Sequence, residues 1–270
     1  MIKTNCELPL QLLSKNEELN DIDFVLFHLY ISNEKYKNYF LQLRKDHPER
    51  IMILDNSGYE FWVKGVELNL DDYAKVISEL TPDYYLLPDK LMDCNSTLER
   101  SIEFLNKYKF NNSKPLAVIQ GNSEVDMTYC LMKYYSMGID NIAIPFHNTF
   151  FKNMKVDIEI LKKFLKKYGC INEDILYAVG RVQFVKNISK ELEDASYIHF
   201  LGSHCPYEKI FYKQYNSMDT GYPVKCAICG AVLGKETAKP NKIIDEFFEL
   251  NLDNTTEALI NINVNMFKKY

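Results

Sequence analysis

The sequence predicts an α/β protein, a (β/α)8 TIM-like barrel formed as a single domain over residues 1–270. Two observations lead to this prediction. Six short apolar runs, rich in β-branched and aromatic residues, are typical of buried parallel strands. The runs begin at residues 24, 51, 84, 116, 141 and 197. The first four intervals, 27, 33, 32 and 25 residues, match the length of repeated β–α units.

The elements follow in chain order. The predicted strands cover 24–30, 51–54, 84–87, 116–119, 141–144 and 197–201, and the predicted helices cover 70–80, 96–108, 123–137, 156–168 and 207–215. Gly138 and Gly169 are placed as helix C-caps. The long gap at 173–192 is either another strand or an inserted helix pair, and apolar spacing favours helix. Residues 226–233 are the candidate final strand. An open doubly wound sheet is the second choice, although no G-x-G-x-x-G follows the first strand.

Composition restricts the class of protein. Hydrophobic residues make up 47% and charged residues 26%, which excludes collagen, coiled coil and wholesale disorder. No apolar run is long enough to cross a bilayer, and we expect no signal peptide at the N-terminus. Seven cysteines without a disulfide framework indicate a reducing, cytoplasmic location. Residues 1–20 are expected to be an N-terminal extension, and 240–270 a C-terminal helix and tail.

Polar residues follow the predicted strands, where barrel enzymes carry their function. These residues are Asp55, Asp89, Gln120, Gly121, Gly202 and Asp219. Converging carboxylates suit metal binding, glycosidic bond cleavage, or recognition of the amidine edge of guanine. The alternative for each aspartate is that it only caps the next helix, and for each glycine that it only forms a turn.

The ordered set of motifs resembles the tRNA-guanine transglycosylase superfamily, and most closely its DNA-modifying branch. The family's Asp-Ser-Gly-Gly-Phe-Gln motif corresponds to residues 55–60 (DNSGYE), and its Val-Gln-Gly motif to 119–121 (IQG). A Leu-x-Gly-type strand end corresponds to 200–202 (FLG), and the Phe-Asp nucleophile motif to 218–219 (MD). The order and approximate spacing agree from about residue 24 to residue 225. That branch is found with genes for 7-deazaguanine insertion into bacterial and phage DNA.

The resemblance implies base exchange, in which guanine is replaced by a 7-deazaguanine such as 7-cyano-7-deazaguanine. Asp219 would be the nucleophile on the sugar, and Asp55 would act in proton transfer and base binding. Asp89 would accept N–H groups of the base, and Gln120 and Gly121 would contact its carbonyl. The remaining substrate-binding candidates are Ser57, Gly58, Tyr59, Leu201 and Gly202. Candidate aromatic walls are Tyr59, Phe61, Tyr84, Tyr85 and Phe146, for each of which core packing is the alternative.

Two departures from the family pattern matter. Residues 145–147 (PFH) replace a Gly-Gly pair of the family, so the identity of the incoming base is not determined. The zinc site of the tRNA-modifying branch is reduced here to Cys226 and Cys229. Zinc held with Cys205 and His204 is therefore the alternative to buried thiols, and we expect no cofactor. Without the tRNA-recognition apparatus, we prefer DNA to RNA as the partner.

Lysines are the candidate phosphate contacts, with a solvated helix face as the alternative. They are Lys162, Lys163, Lys166 and Lys167 on one predicted helix, and Lys239 and Lys242 nearer the C-terminus. Three rival functions stay open: a compact tRNA-guanine transglycosylase, a non-catalytic barrel that binds nucleic acid or a partner subunit, and, more remotely, a metal-dependent hydrolase. A homo-oligomer is also left open.

Overall fold

The computed structural model describes residues 2–146, 149–234 and 247–270. Within these residues eight strands occur, and every strand pairing given is parallel. They are β1 (Lys3–Cys6), β2 (Asp23–Leu26), β3 (Met52–Asp55), β4 (Tyr84–Leu86), β5 (Lys114–Val118), β6 (Asn141–Ile144), β7 (Tyr197–Phe200) and β8 (Ser217–Thr220). Their order in the sheet is β1-β8-β7-β6-β5-β4-β3-β2, which is the strand order of a TIM-like fold. The predicted (β/α)8 fold class is confirmed.

Helices alternate with the strands along the described chain. They are α1 (Asn16–Leu19), α2 (Phe27–Ser32), α3 (Glu34–Asp46), α4 (Gly58–Lys64), α5 (Leu70–Leu80), α6 (Cys94–Lys107), α7 (Glu124–Ser136), α8 (Thr149–Lys152), α9 (Ile158–Tyr168), α10 (Glu173–Asn187), α11 (Tyr222–Ile228) and α12 (Asn254–Lys268). Three 3-10 helices cover Leu10–Lys15, Glu191–Asp194 and Pro206–Phe211. As predicted, Gly138 and Gly169 adopt the positive φ that suits a residue after a helix.

The chain divides into two compact units. A terminal unit comprises Met1–Asp21, Phe146–Lys190 and His199–Tyr270, and a central unit comprises Ile22–Pro145 and Glu191–Ile198. The central unit contains β2 to β6, and the terminal unit contains β1 and β8; β7 contributes residues to both. That the whole chain is a single domain stays a prediction.

In the central unit, helix packing orders the ends of the strands. Tyr73 of α5 is completely buried, and its hydroxyl lies 2.8 Å from the carbonyl oxygen of Leu86 and 3.2 Å from that of Leu54. The hydroxyl therefore joins the last residue of β4 to the third residue of β3. Burial raises the pKa of Tyr73, so it remains a neutral donor. One helix residue thus fixes two neighbouring strands just before their polar ends.

In the terminal unit, two helices approach so closely that only glycine fits. A Cβ added at Gly180 of α10 would lie 2.0 Å from the carbonyl oxygen of Phe151 in α8, well inside van der Waals contact. The C-terminal helix α12 packs against α11. Lys209 is buried, and its ammonium donates to the carbonyls of Phe267 and Lys268 at the end of α12. These contacts attach the C-terminal segment to the rest of the unit.

Two expectations about elements are wrong. The run at 24–30 is a strand only as far as Leu26, and it continues as α2, because apolar content does not distinguish a buried strand from a buried helix. Residues 226–233 are not a strand: the helix α11 ends at Ile228, and Pro223 lies in its first turn, where proline is favoured. The final strand is instead β8, whose four residues Ser-Met-Asp-Thr are all buried.

The N-terminal segment, for which an extension was expected, contributes a strand to the sheet, because β1 pairs in parallel with β8. Its sequence, Lys-Thr-Asn-Cys, has no apolar run to mark it. Hydrogen bonds to other side chains stabilise this strand instead. Asp21 accepts from the amide and the hydroxyl of Thr4, and Asn20 accepts from the amide of Cys6. The helical interpretation of 173–192 is confirmed by α10 and the 3-10 helix Glu191–Asp194.

Candidate functional site

In the central unit a carboxylate lies between two amides. Gln120, directly after β5 and its neighbour Ile119, donates from Nε2 to Asp89 Oδ2 at 2.7 Å. Asn56, directly after β3, donates from Nδ2 to Asp89 Oδ1 at 2.9 Å. Two of the predicted residues, Asp89 and Gln120, are therefore brought together, with Asn56 as a third member. We call these three side chains the amide–carboxylate group.

Both amides are fixed in orientation by their other hydrogen bonds. Gln120 Oε1 accepts from the amide of Met92 at 3.0 Å. Asn56 Oδ1 accepts from the amide of Gly58 at 2.7 Å, and its Nδ2 also donates to the carbonyl of Leu87 at 2.8 Å. Rotating either amide by half a turn would break these bonds, so an NH2 group faces each oxygen of Asp89. A carboxylate oxygen has room for a second donor, which leaves Asp89 able to accept from a ligand.

Desolvation raises the pKa of the Asp89 carboxyl above its ordinary value of 3.8, and hydrogen bonds from Asn56 and Gln120 oppose that rise. The Asp89 charge is therefore incompletely compensated by the protein. A ligand with N–H donors would lower the cost of this charge, because such donors favour the ionised form.

The predicted residues Asp55, Ser57 and Gly58 form the turn between β3 and α4. Asp55 Oδ2 accepts from the amide of Ser57 at 2.9 Å. Ser57 is buried in the left-handed region, with φ +56°, and its hydroxyl accepts from the amide of His28. A Cβ added at Gly58 would lie 3.3 Å from Asp89 Oδ1, so the turn brings the start of α4 against the amide–carboxylate group.

Gly121 and Tyr59 have different surroundings from that group. A Cβ at Gly121 would lie 2.6 Å from Cβ of Asp126, so glycine is required there for close packing with α7. Tyr59 lies on α4 and is 41% exposed. A direct contact of either residue with a base stays a prediction.

In the terminal unit, Asp219 lies within β8 and is almost fully buried. His199 of β7 donates from Nε2 to Asp219 Oδ1 at 3.0 Å, and the amide of Gly202 donates to the same oxygen at 3.1 Å. Because a carboxylate only accepts, Nε2 carries the proton of that hydrogen bond, and Nδ1 of His199 is hydrogen-bonded to the Ser217 hydroxyl at 2.7 Å. Within the described residues both hydrogen bonds reach Oδ1, so the carboxylate is oriented and Oδ2 accepts none.

The Ser217–His199–Asp219 arrangement is not a serine-nucleophile triad. Ser217 is completely buried and its partner His199 is completely buried as well. A serine nucleophile must reach its substrate, whereas only Asp219 of these three retains any exposure. Ser217 therefore orients His199, and His199 in turn orients Asp219.

A buried ion pair holds the loop after β7. Arg181 of α10 donates from Nε and Nη2 to the carboxylate of Glu208, at 3.1 and 2.7 Å, with both side chains completely buried. Arg181 also donates to the carbonyls of Leu201 and Gly202, at 2.9 and 2.8 Å. Burial opposes the Arg181 charge, but Glu208 beside it holds the pKa of the guanidinium above its ordinary value. Arg181 thus holds the backbone of the predicted residues Leu201 and Gly202 close to Asp219.

No known family identifies the chain. A scan of the sequence against models of protein families and a search of curated proteins both give no match. The resemblance to transglycosylases therefore stays a prediction. That Asp219 of the terminal unit acts together with Asp55 and Asp89 of the central unit also stays a prediction.

The remaining candidates are the zinc ligands and the lysines predicted to contact phosphate. No three histidine, cysteine, aspartate or glutamate side chains in the described residues are grouped as a metal site, so Cys226, Cys229, Cys205 and His204 do not form one. Of the lysines on α9, Lys162 pairs with Glu159, and Lys163 and Lys167 lie over aromatic rings. Their role in phosphate binding stays a prediction. Lys239, Lys242 and His147 lie outside the described residues.

Of the predicted aromatic walls, Tyr85 and Phe146 are buried, Phe61 and Tyr84 are partly exposed, and Tyr59 is exposed. Tyr85 packs against Phe104 and Phe110, and Phe61 packs against Phe27. Phe146 is buried beneath the Arg181 guanidinium, which lies 4.7 Å from the centre of its ring. Tyr84 is the first residue of β4, at the opposite end from Asp89, and stacks on Tyr197.

Within the described part of the chain, no helix is both long enough and apolar enough to cross a lipid bilayer.

Four residues of these clusters were missed from the sequence. His199 is a polar residue inside the buried run of β7, and Ser217 lies two residues before Asp219, which puts both on the same face of β8. Arg181 is a charged residue inside the apolar run of α10, and such a residue requires a buried partner. Its partner Glu208 is 27 residues away, and no local pattern indicates it.

Proposed function

We propose that the protein is a transglycosylase that exchanges guanine in DNA for a 7-deazaguanine such as 7-cyano-7-deazaguanine. Three lines support the proposal: the ordered motifs, the TIM-like strand order, and the environments of Asp89 and Asp219. Its partners would be DNA and the incoming base, with no cofactor. A homo-oligomer or a partner subunit remains compatible with it.

The observation that carries the proposal is the state of Asp219. Two donors hold Oδ1, and Oδ2 accepts no hydrogen bond from the described residues. A carboxylate nucleophile needs this arrangement, since one oxygen must be fixed so that the other points at the reacting carbon. A carboxylate that only caps a helix or balances a cation would use both oxygens for these contacts, whereas here both donors from the described residues reach Oδ1.

The chemistry proceeds in two displacements at one carbon. Asp219 Oδ2 forms a bond to C1′ as the bond from C1′ to N9 of guanine breaks, and the departing base keeps the electron pair and takes a proton. Asp55 is the proposed acid. The incoming 7-deazaguanine then loses a proton and attacks C1′ through its five-membered-ring nitrogen, and the Asp219 carboxylate leaves. Two inversions retain the configuration, and no external energy source is consumed.

Asp89 is the proposed base-recognition residue. Guanine and 7-deazaguanine both present N1–H and an exocyclic NH2 side by side, which match the two oxygens of a carboxylate. The fixed amides of Asn56 and Gln120 hold Asp89 in one plane for this contact. The base must leave the helical stack to reach it, so the substrate nucleotide would be flipped out of the duplex or taken from a single strand.

The test is base exchange with radiolabelled guanine. The intact protein is incubated with labelled guanine and either double-stranded DNA, single-stranded DNA or tRNA, and the label in each polymer is counted. We expect incorporation into DNA, and its loss of more than about 1000-fold in Asp219→Asn. Asp72→Asn is the matched control, because Asp72 is an exposed partner of Lys75 on α5.

The outcomes separate the rival functions. Label in tRNA but not in DNA would indicate the compact tRNA transglycosylase. Polymer binding without incorporation, equal in the wild type and in Asp219→Asn, would indicate a non-catalytic barrel. Full activity in Asp219→Asn would refute the mechanism. A protein–DNA adduct that survives denaturation in the wild type and is missing in Asp219→Asn would support the covalent step.

A further inference from the structure

The short helix α4 and Val66, two residues beyond its end, expose several apolar side chains. Trp62 is 58% exposed and is the only tryptophan of the chain. Tyr59 is 41% exposed, Val63 51% and Val66 55%. The rings of Tyr59 and Trp62 lie 6.2 Å apart, tilted by 40°. We call these four side chains the α4 aromatic face.

This face begins at the amide–carboxylate group. Gly58, the first residue of α4, is within contact distance of Asp89, as its added Cβ would be 3.3 Å from Oδ1. Trp62 is four residues further, one helical turn and about 6 Å along the axis, on the same side of the helix as Gly58. A base bound at Asp89 would therefore lie about one helical turn from Trp62.

Positive charge is available beside the same group. Lys90 directly follows Asp89 and is exposed. The charge of Arg100 weakly opposes the rise that burial causes in the pKa of Asp89, and its guanidinium lies 3.5 Å from the carboxylate of Glu67. Basic side chains next to exposed aromatic rings are the two elements of surfaces that bind single-stranded nucleic acid.

We propose that the α4 aromatic face binds the nucleotide next to the one whose base is exchanged, with Trp62 and Tyr59 stacking on its base. This inference rests on the proposed function and adds a substrate-binding surface to it. Stacking on an aromatic ring tolerates any base, so the face would supply affinity rather than sequence preference. A second copy of the chain fits less well, because four partly exposed side chains offer a few hundred Å2, against about 800 Å2 per partner in a stable dimer.

The single tryptophan makes the test specific. Emission of Trp62 in the full-length protein is followed during titration with single-stranded DNA, and affinity is measured separately by anisotropy of a labelled oligonucleotide. We expect saturable quenching with the same midpoint as the anisotropy. Trp62→Ala should weaken binding about 5- to 150-fold, whereas Trp62→Phe, which keeps a stacking ring, should bind close to the wild type. Val125→Ala, at a 76% exposed position on α7, is the control and should change nothing.

Each other outcome refutes the inference in a recognisable way. If DNA binds and takes up labelled guanine while Trp62 emission and Trp62→Ala affinity stay unchanged, this surface is not used although the proposed function holds. If the emission shifts with protein concentration alone and the molecular mass doubles, a second copy covers the face. If the wild type binds neither DNA nor RNA, the inference and the proposed function both fail.

Discussion

Replacing Arg181 by methionine should destabilise the protein more than any surface change. The substitution keeps an unbranched side chain but removes the partner of Glu208, which is completely buried. Breaking a buried ion pair from one side costs about 3–5 kcal/mol, because it leaves an uncompensated charge. The carbonyls of Leu201 and Gly202 lose their donors as well, at about 1 kcal/mol or more each.

The total, roughly 5 kcal/mol or more, is comparable with the whole stability of a typical domain, about 5–15 kcal/mol. We expect Arg181→Met to shift the midpoint of urea unfolding, followed by far-ultraviolet circular dichroism, to much lower concentration. Arg100→Met is the matched control, because Arg100 pairs with the exposed Glu67 and surface pairs contribute about 0–1 kcal/mol.

A double-mutant cycle identifies the cause. Glu208→Gln removes the charge and keeps one of the two oxygens that accept from Ser203 and Tyr212, while an NH2 donor replaces the other. If the buried charge causes the loss, the double variant Arg181→Met/Glu208→Gln should cost less than the sum of the single changes, by about 2–3 kcal/mol. A loss below about 1 kcal/mol for Arg181→Met, or strict additivity in the double variant, would refute the reasoning.

Three further changes test other contacts. Gly180→Ala should lower the melting temperature, because the added Cβ would lie 2.0 Å from the Phe151 carbonyl oxygen. In an unobstructed helix the same substitution would stabilise the protein by about 1 kcal/mol. An unchanged or higher melting temperature would contradict this prediction. Burial lowers the pKa of Lys209 from 10.5 to about 8. Between these two pH values the folded state binds fewer protons than the unfolded state. This group therefore makes the free energy of unfolding rise with pH across that window. Lys209→Met should lack that rise in urea midpoints measured at about pH 7.5 and 10, and equal slopes in both proteins would count against it. His199→Leu should slow adduct formation by about 100-fold through loss of Asp219 orientation, while His199→Gln, which can still donate, should retain most of the rate; equal rates in both variants would exclude positioning by His199.

The polar ends of the strands show how far sequence reasoning reached. Asp89 and Gln120 were predicted to meet because both follow apolar runs of the same sheet, and the structure joins them at 2.7 Å. Asn56 lies in the motif at 55–60 but is not among the predicted site residues, yet its amide completes the group. The reason is that strand ends are readable from apolar content, whereas the partner of an individual amide depends on its rotamer.

Polar strands marked the limit of that reasoning. Lys3–Cys6 and Ser217–Thr220 contain too few apolar residues to be recognised, and each is stabilised by side chains from elsewhere in the terminal unit. A strand of this kind can be buried only when every polar group finds a partner, and sequence patterns do not show those partners. The positions of β1 and β8 therefore became evident only from the structure.

The amino-acid sequence by itself determined the (β/α)8 class, because the spacing of apolar runs and helix caps is a local property of the chain. It also supplied the candidate carboxylates. Only the tertiary structure decided how Asp219 is oriented and how Asp89 is held. The donors His199, Gly202, Asn56 and Gln120 lie within or after other strands, and such long-range hydrogen bonds depend on packing rather than on neighbouring residues.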